Sequence, residues 1–155
     1  MAVEKSKRGE NKFEVFLKAR ELAVYTNQIT QNRNVFKRNK ATATVTADGK
    51  EVTVVFEQDP ELLKDIVHSA NQIFLLAWKA NNIMVKGNAE KWKMRSMLQR
   101  EAILECNSLL AMVQLAYKVF HLSGKRIKFW TKFIVEVRGL LRNWHDGDQN
   151  RYGNL

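Results

Sequence analysis

Leu98 to Trp144 reads LQREAILECNSLLAMVQLAYKVFHLSGKRIKFWTKFIVEVRGLLRNW, and its periodicity decides the fold class. In its second half, Ile127, Trp130, Ile134, Val137, Leu141 and Trp144 recur at steps of three and four. That spacing places them on one face of a helix, with Phe133 and Leu140 widening the stripe. The first half repeats the pattern with Leu98, Ala102, Leu109, Met112, Ala116 and Val119, flanked by Cys106, Leu110, Val113 and Tyr117. His121-Leu122-Ser123-Gly124 interrupts the two halves. A connection this short predicts neighbouring antiparallel helices.

Two more helices are predicted upstream. Over Lys12 to about Asn32, Val15, Phe16, Ala19, Leu22, Ala23, Thr26 and Ile29 share a face. From Glu61 to about Ala80, Leu62, Leu63, Ile66, Val67, Ala70, Ile73, Phe74 and Ala77 form a broad stripe. Asp59 is the expected cap of that helix, with Pro60, the single proline, in its first turn. Asn81-Asn82 and Gly87-Asn88 bracket the link to the third helix.

Between the first two helices the period changes from 3.6 to 2. In KATATVTADGKEVTVVFE, residues 40–57, two alternating β-prone runs flank Asp48-Gly49, a strong hairpin signal. Since a two-stranded ribbon is marginal alone in water, it is expected to pack on the bundle or on a neighbouring chain. The predicted fold is therefore all-α: an up-down four-helix bundle with a β-hairpin insertion between helices 1 and 2. The expected division is a flexible basic arm at 1–11, the bundle at 12–145, and a polar tail at 146–155 after a helix stop at Gly147.

The chain's 155 residues favour one domain with a real core, and 45% apolar content fits a globular chain. One cysteine, Cys106, permits no internal disulfide and is expected in the core. With no signal-like or membrane-crossing stretch, a cytoplasmic location and no membrane contact are expected. The net charge is +10, unevenly distributed. Residues 48–65 hold six acids against two lysines, a balance of −4, leaving +14 elsewhere. Such a surface attracts polyanions and releases their counterions.

Candidate phosphate contacts are Lys37, Arg38, Arg95, Arg100, Lys125, Arg126, Lys128, Lys132 and Arg138. Trp92, among Lys91, Lys93 and Arg95, either stacks on a base or closes the core, the core being favoured. His68, His121 and His145 lie on separate elements, away from any Cys at metal-ligand spacing. Glu101 and Glu105 lie one turn apart without the Glu-x-x-His pairs of bundle metal sites. The sequence has no phosphate-loop or nucleophile motif. No enzyme activity, metal or cofactor is expected.

Phe13–Thr26 (FEVFLKARELAVYT), Leu98–Leu122 and Gly124–Tyr152 together resemble the Avd-like four-helix proteins, accessory variability determinants of diversity-generating retroelements. Lys125, Arg126 and Trp130 in a K-R-x-x-x-W element, and the LLRNW ending at Trp144, carry the resemblance most. It implies a homopentamer that binds a reverse transcriptase and its template RNA or RNA–DNA hybrid, and supports mutagenic copying without catalysing it. The hairpin departs from that family's short basic link. The related four-helix proteins of ribosomal-RNA intervening sequences are the alternative. A structural assembly protein whose basic face meets an acidic partner is another.

Overall fold

The computed structural model describes the backbone from residue 5 and side chains from residue 14 to the C-terminal Leu155. The chain order is α1 (Lys5–Thr30), β1 (Asn39–Ala47), β2 (Lys50–Gln58), α2 (Glu61–Asn81), α3 (Ala89–Val119) and α4 (Gly124–Tyr152). Part of the basic arm expected at 1–11 lies outside the described residues, and the helix assignment begins at Lys5.

The four helices form a bundle in which α1 packs on α2 and α4, α2 on α3, and α3 on α4. The stripes expected from the periodicity fill its interior. Trp130, Ile134, Val137 and Leu141 of α4 are fully buried with Leu22, Ile66, Ile73, Cys106, Leu109 and Val113. Trp130 is the largest buried side chain, and its indole Nε1 donates to Thr26 Oγ1 at 3.3 Å. A buried indole N–H without a partner would cost free energy, so Thr26 is the polar residue this seam requires. Val119, expected in the α3 stripe, is exposed instead.

Local chemistry sets the helix ends. Ser123 caps α4, its Oγ accepting from Arg126 N at 3.2 Å. Asn88 caps α3, accepting from the backbone N–H groups of Glu90 and Lys91. His121 takes a left-handed φ of 53° just past α3, and the Leu122 N–H reaches back to Tyr117 O at 3.2 Å. This is a Schellman ending with His where Gly is usual.

Two local expectations are corrected. Asp59 does not cap α2: Pro60 occupies that position without a side-chain bond, and Asp59 pairs with Arg38 instead. Gly147 does not stop α4, which runs to Tyr152. The reason is tertiary. Asp148 is buried, and the Tyr152 ring packs 5.7 Å from that of Trp92, so the last turns are held from outside the helix.

The hairpin forms with the expected turn, Asp48 and Gly49 both having positive φ (53° and 75°). Ala43 faces Val54, Val45 faces Val52, and Thr44 faces Thr53. Both strands project from the bundle, and nearly all their side chains are exposed. The expected packing of the hairpin on its own bundle is not observed among the helix and strand contacts.

Candidate nucleic-acid interface

Lys125, Lys128 and Lys132 fall at i, i+3 and i+7 of α4, opposite the buried Trp130–Leu141 row, and all three are exposed. Among the described residues none has an acid within ion-pair distance. Glu136, the acid on the same face, is 3.8 Å from Lys18. Phe129 stands between these lysines with 54% of its surface exposed. Its ring is fixed from below by edge contacts to Tyr25 at 5.2 Å and Phe133 at 6.1 Å. A rigid exposed ring among unpaired ammonium groups presents a face for a base and charges for the flanking phosphates. Charge alone does not point to Phe129.

Lys37 and Arg126 come together at one end of the bundle. With Asn34, Asn39, His121 and Ser123 they line a cleft of about 740 Å³. The cleft lies at the N-terminus of α4, where free N–H groups and the helix dipole favour negative charge. Lys125 immediately precedes Arg126 in sequence, so this cleft and the lysine row adjoin along the start of α4.

Other candidates are placed differently. Arg100 is exposed on α3, away from the α4 row. Arg138 is half-buried and donates to Asn107 Oδ1 at 2.8 Å. Arg38 is held by Asp59 and donates to the carbonyls of Phe36 and Thr30, which makes it a brace at the hairpin's base. The same Arg38 guanidinium holds the Asp59 carboxyl below its ordinary value.

Arg95 is 6% exposed and does not reach the surface. Its Nε donates to Asp148 at 2.7 Å, its Nη1 reaches Ile83 O at 3.2 Å, and its guanidinium lies 5.2 Å from the Trp144 ring centre. Gln99 donates to the same Asp148 oxygen at 2.7 Å. Arg95 is therefore withdrawn from the contact set, because its charge is satisfied internally. Trp92 is also buried, stacked on His145 at 6.0 Å, in keeping with its core role.

A Ser96–His145 contact of 2.9 Å lies beside this network. Asp146 approaches the other ring nitrogen only to 4.0 Å, beyond hydrogen-bond reach, and Ser96 is itself buried. Burial and the charge of Arg100 hold His145 below its ordinary value, against the opposing pull of Asp146 and Asp148. The neutral ring this favours packs well against Trp92. Cys106 is buried, and that burial pushes its thiol up to about 12. No described group of three His, Cys, Asp or Glu side chains is arranged to hold a metal. No described helix is long and apolar enough to cross a membrane.

No protein-family model, curated protein or solved structure matches this chain.

Proposed function

We propose that this protein is a non-catalytic accessory subunit of a diversity-generating retroelement, gripping template RNA or an RNA–DNA hybrid while docking the reverse transcriptase. The observation that carries the nucleic-acid part is the exposed Phe129 ring set among Lys125, Lys128 and Lys132. The ring stacks on an unpaired base. The lysines act on phosphates, so binding is salt-sensitive and tolerant of sequence. The polymerase, the retroelement and a cytoplasmic homopentamer rest on the resemblance of the α1, α3 and α4 sequences to Avd-like proteins.

An up-down bundle belongs to the same reading. Lys18 and Thr26 of α1 meet Glu136 and Trp130 of α4 in reverse order, as Arg95 and Asn107 of α3 meet Asp148 and Arg138. These pairs support antiparallel neighbours.

A tagged pull-down from the native host at moderate salt, with mass spectrometry and RNA sequencing of one eluate, tests the proposal. A reverse transcriptase arriving with one non-coding RNA is the expected result. Ribosomal RNA without a polymerase moves the assignment to the intervening-sequence relatives. A single acidic protein without RNA overturns the nucleic-acid reading in favour of an assembly role.

A further inference from the structure

The cleft at the start of α4 changes sign across one of its walls. Lys37, His121, Ser123 and Arg126 line it, and no Asp or Glu is among its lining residues. Asn39 and Pro60 also line it, and the same two residues border a second cleft. In that second cleft Glu57, Asp59 and Glu61 stand against Lys64 alone. The three acids pair with Arg33, Arg38 and Lys64, which leaves Lys37 and Arg126 without an acid partner among the described residues.

A strand lying along α4 therefore meets Lys132, Lys128 and Lys125, then Arg126 and Lys37. Past Asn39 and Pro60 it meets more carboxylates than ammonium groups. A polyanion is attracted as far as the first cleft and gains nothing by continuing beyond it.

We infer that this cleft takes a terminal phosphate of the bound strand, a monoester rather than an internal diester. The charge fits. A monoester carries about −1.5 to −2 at pH 7 and three acceptor oxygens, and Lys37 and Arg126 bring two unpaired positive charges to one cleft. The placement fits as well. Arg126 and Phe129 are three residues apart on α4, so they are neighbours on one helix face. A terminal nucleotide whose base stacks on the exposed Phe129 ring brings its own phosphate to Arg126. End recognition rests on the nucleic-acid reading of the α4 row and says which part of the strand sits at its start.

Three single-stranded RNAs of one sequence test it: one with a 5′-phosphate, one with a 3′-phosphate and one with hydroxyls at both ends. Fluorescence anisotropy on the full chain is expected to show about tenfold tighter binding for a phosphorylated strand, the weight of roughly one added charge-assisted hydrogen bond. Which phosphorylated strand gains tells which end the cleft takes. Lys37→Ala combined with Arg126→Ala is expected to abolish that gain, with helical circular dichroism unchanged. Phe129→Ala is expected to weaken all three strands. Equal affinity for the three strands, or a gain that survives the Lys37→Ala and Arg126→Ala pair, overturns end recognition and leaves the nucleic-acid reading standing. Failure to bind any of the three overturns both.

Discussion

Arg95 and Asp148, 53 residues apart in the chain, meet inside the bundle with Nε and Oδ2 2.7 Å apart. Neither side chain is more than 7% exposed. The pair ties the start of α3 to the end of α4, and Arg95 also reaches the carbonyl of Ile83 beyond α2. Removing one partner strands a buried charge. Asp148→Ala is therefore expected to destabilise the fold by about 3–5 kcal/mol, whereas Arg95→Met combined with Asp148→Leu should recover part of that loss. Urea midpoints of the single and double variants measure both.

Arg38 and the α4 lysines should separate cleanly by readout. Lys128→Ala and Lys132→Ala are each expected to weaken single-stranded RNA binding and to reduce the slope of log K against log salt by about 0.7. Phe129→Ala should cost about 1–3 kcal/mol of affinity with the slope unchanged. Arg38→Ala should leave the slope unchanged and instead lower stability by about 1–3 kcal/mol, because two carbonyls lose their donor. Fluorescence anisotropy across a salt series, beside thermal melts, distinguishes the three classes.

His145 predicts a pH dependence. Its folded-state value is depressed, chiefly by burial, so the unfolded chain takes up the proton first. The contribution to stability is fully present above the ordinary histidine value of 6.5 and is lost as pH falls through the lower folded value. Asp59, held down by Arg38, keeps its charge across that window. Urea midpoints measured from pH 7.5 to pH 5 should fall for the wild type and fall less for His145→Gln.

Cys106 should be chemically silent in the folded protein. With its thiol pushed up to about 12 and no surface exposed, a thiol reagent at pH 8 is expected to react only at the rate of opening. Full reaction within the mixing time would contradict the core placement.

Much of the fold was legible because its signals are local. The α4 stripe and the Asp48-Gly49 turn depend on residues within a few positions of each other, and both appear where the periodicity puts them. What escaped was tertiary. Gly147 resembles a stop, yet the helix passes through it because Asp148 and Tyr152 find partners on α3. Arg38 and Arg95 are counted as surface cations by residue type. Only the folded chain brings Asp59 and Asp148 to them. Phe129 lies off the core stripe, and a readable signal was present: an aromatic with Lys125 four residues before it and Lys132 three after.

The unequal lengths of the connections bear on the order in which the chain folds. Seven residues join α2 to α3 and four join α3 to α4, but thirty separate the end of α1 from the start of α2, hairpin included. Closing short loops costs less entropy than closing long ones, so α2, α3 and α4 are expected to come together before α1 joins them. Its seam with α4, closed by Thr26 under the Trp130 indole, is then expected to form late. Of the four helices, the one made earliest is then expected to be held last.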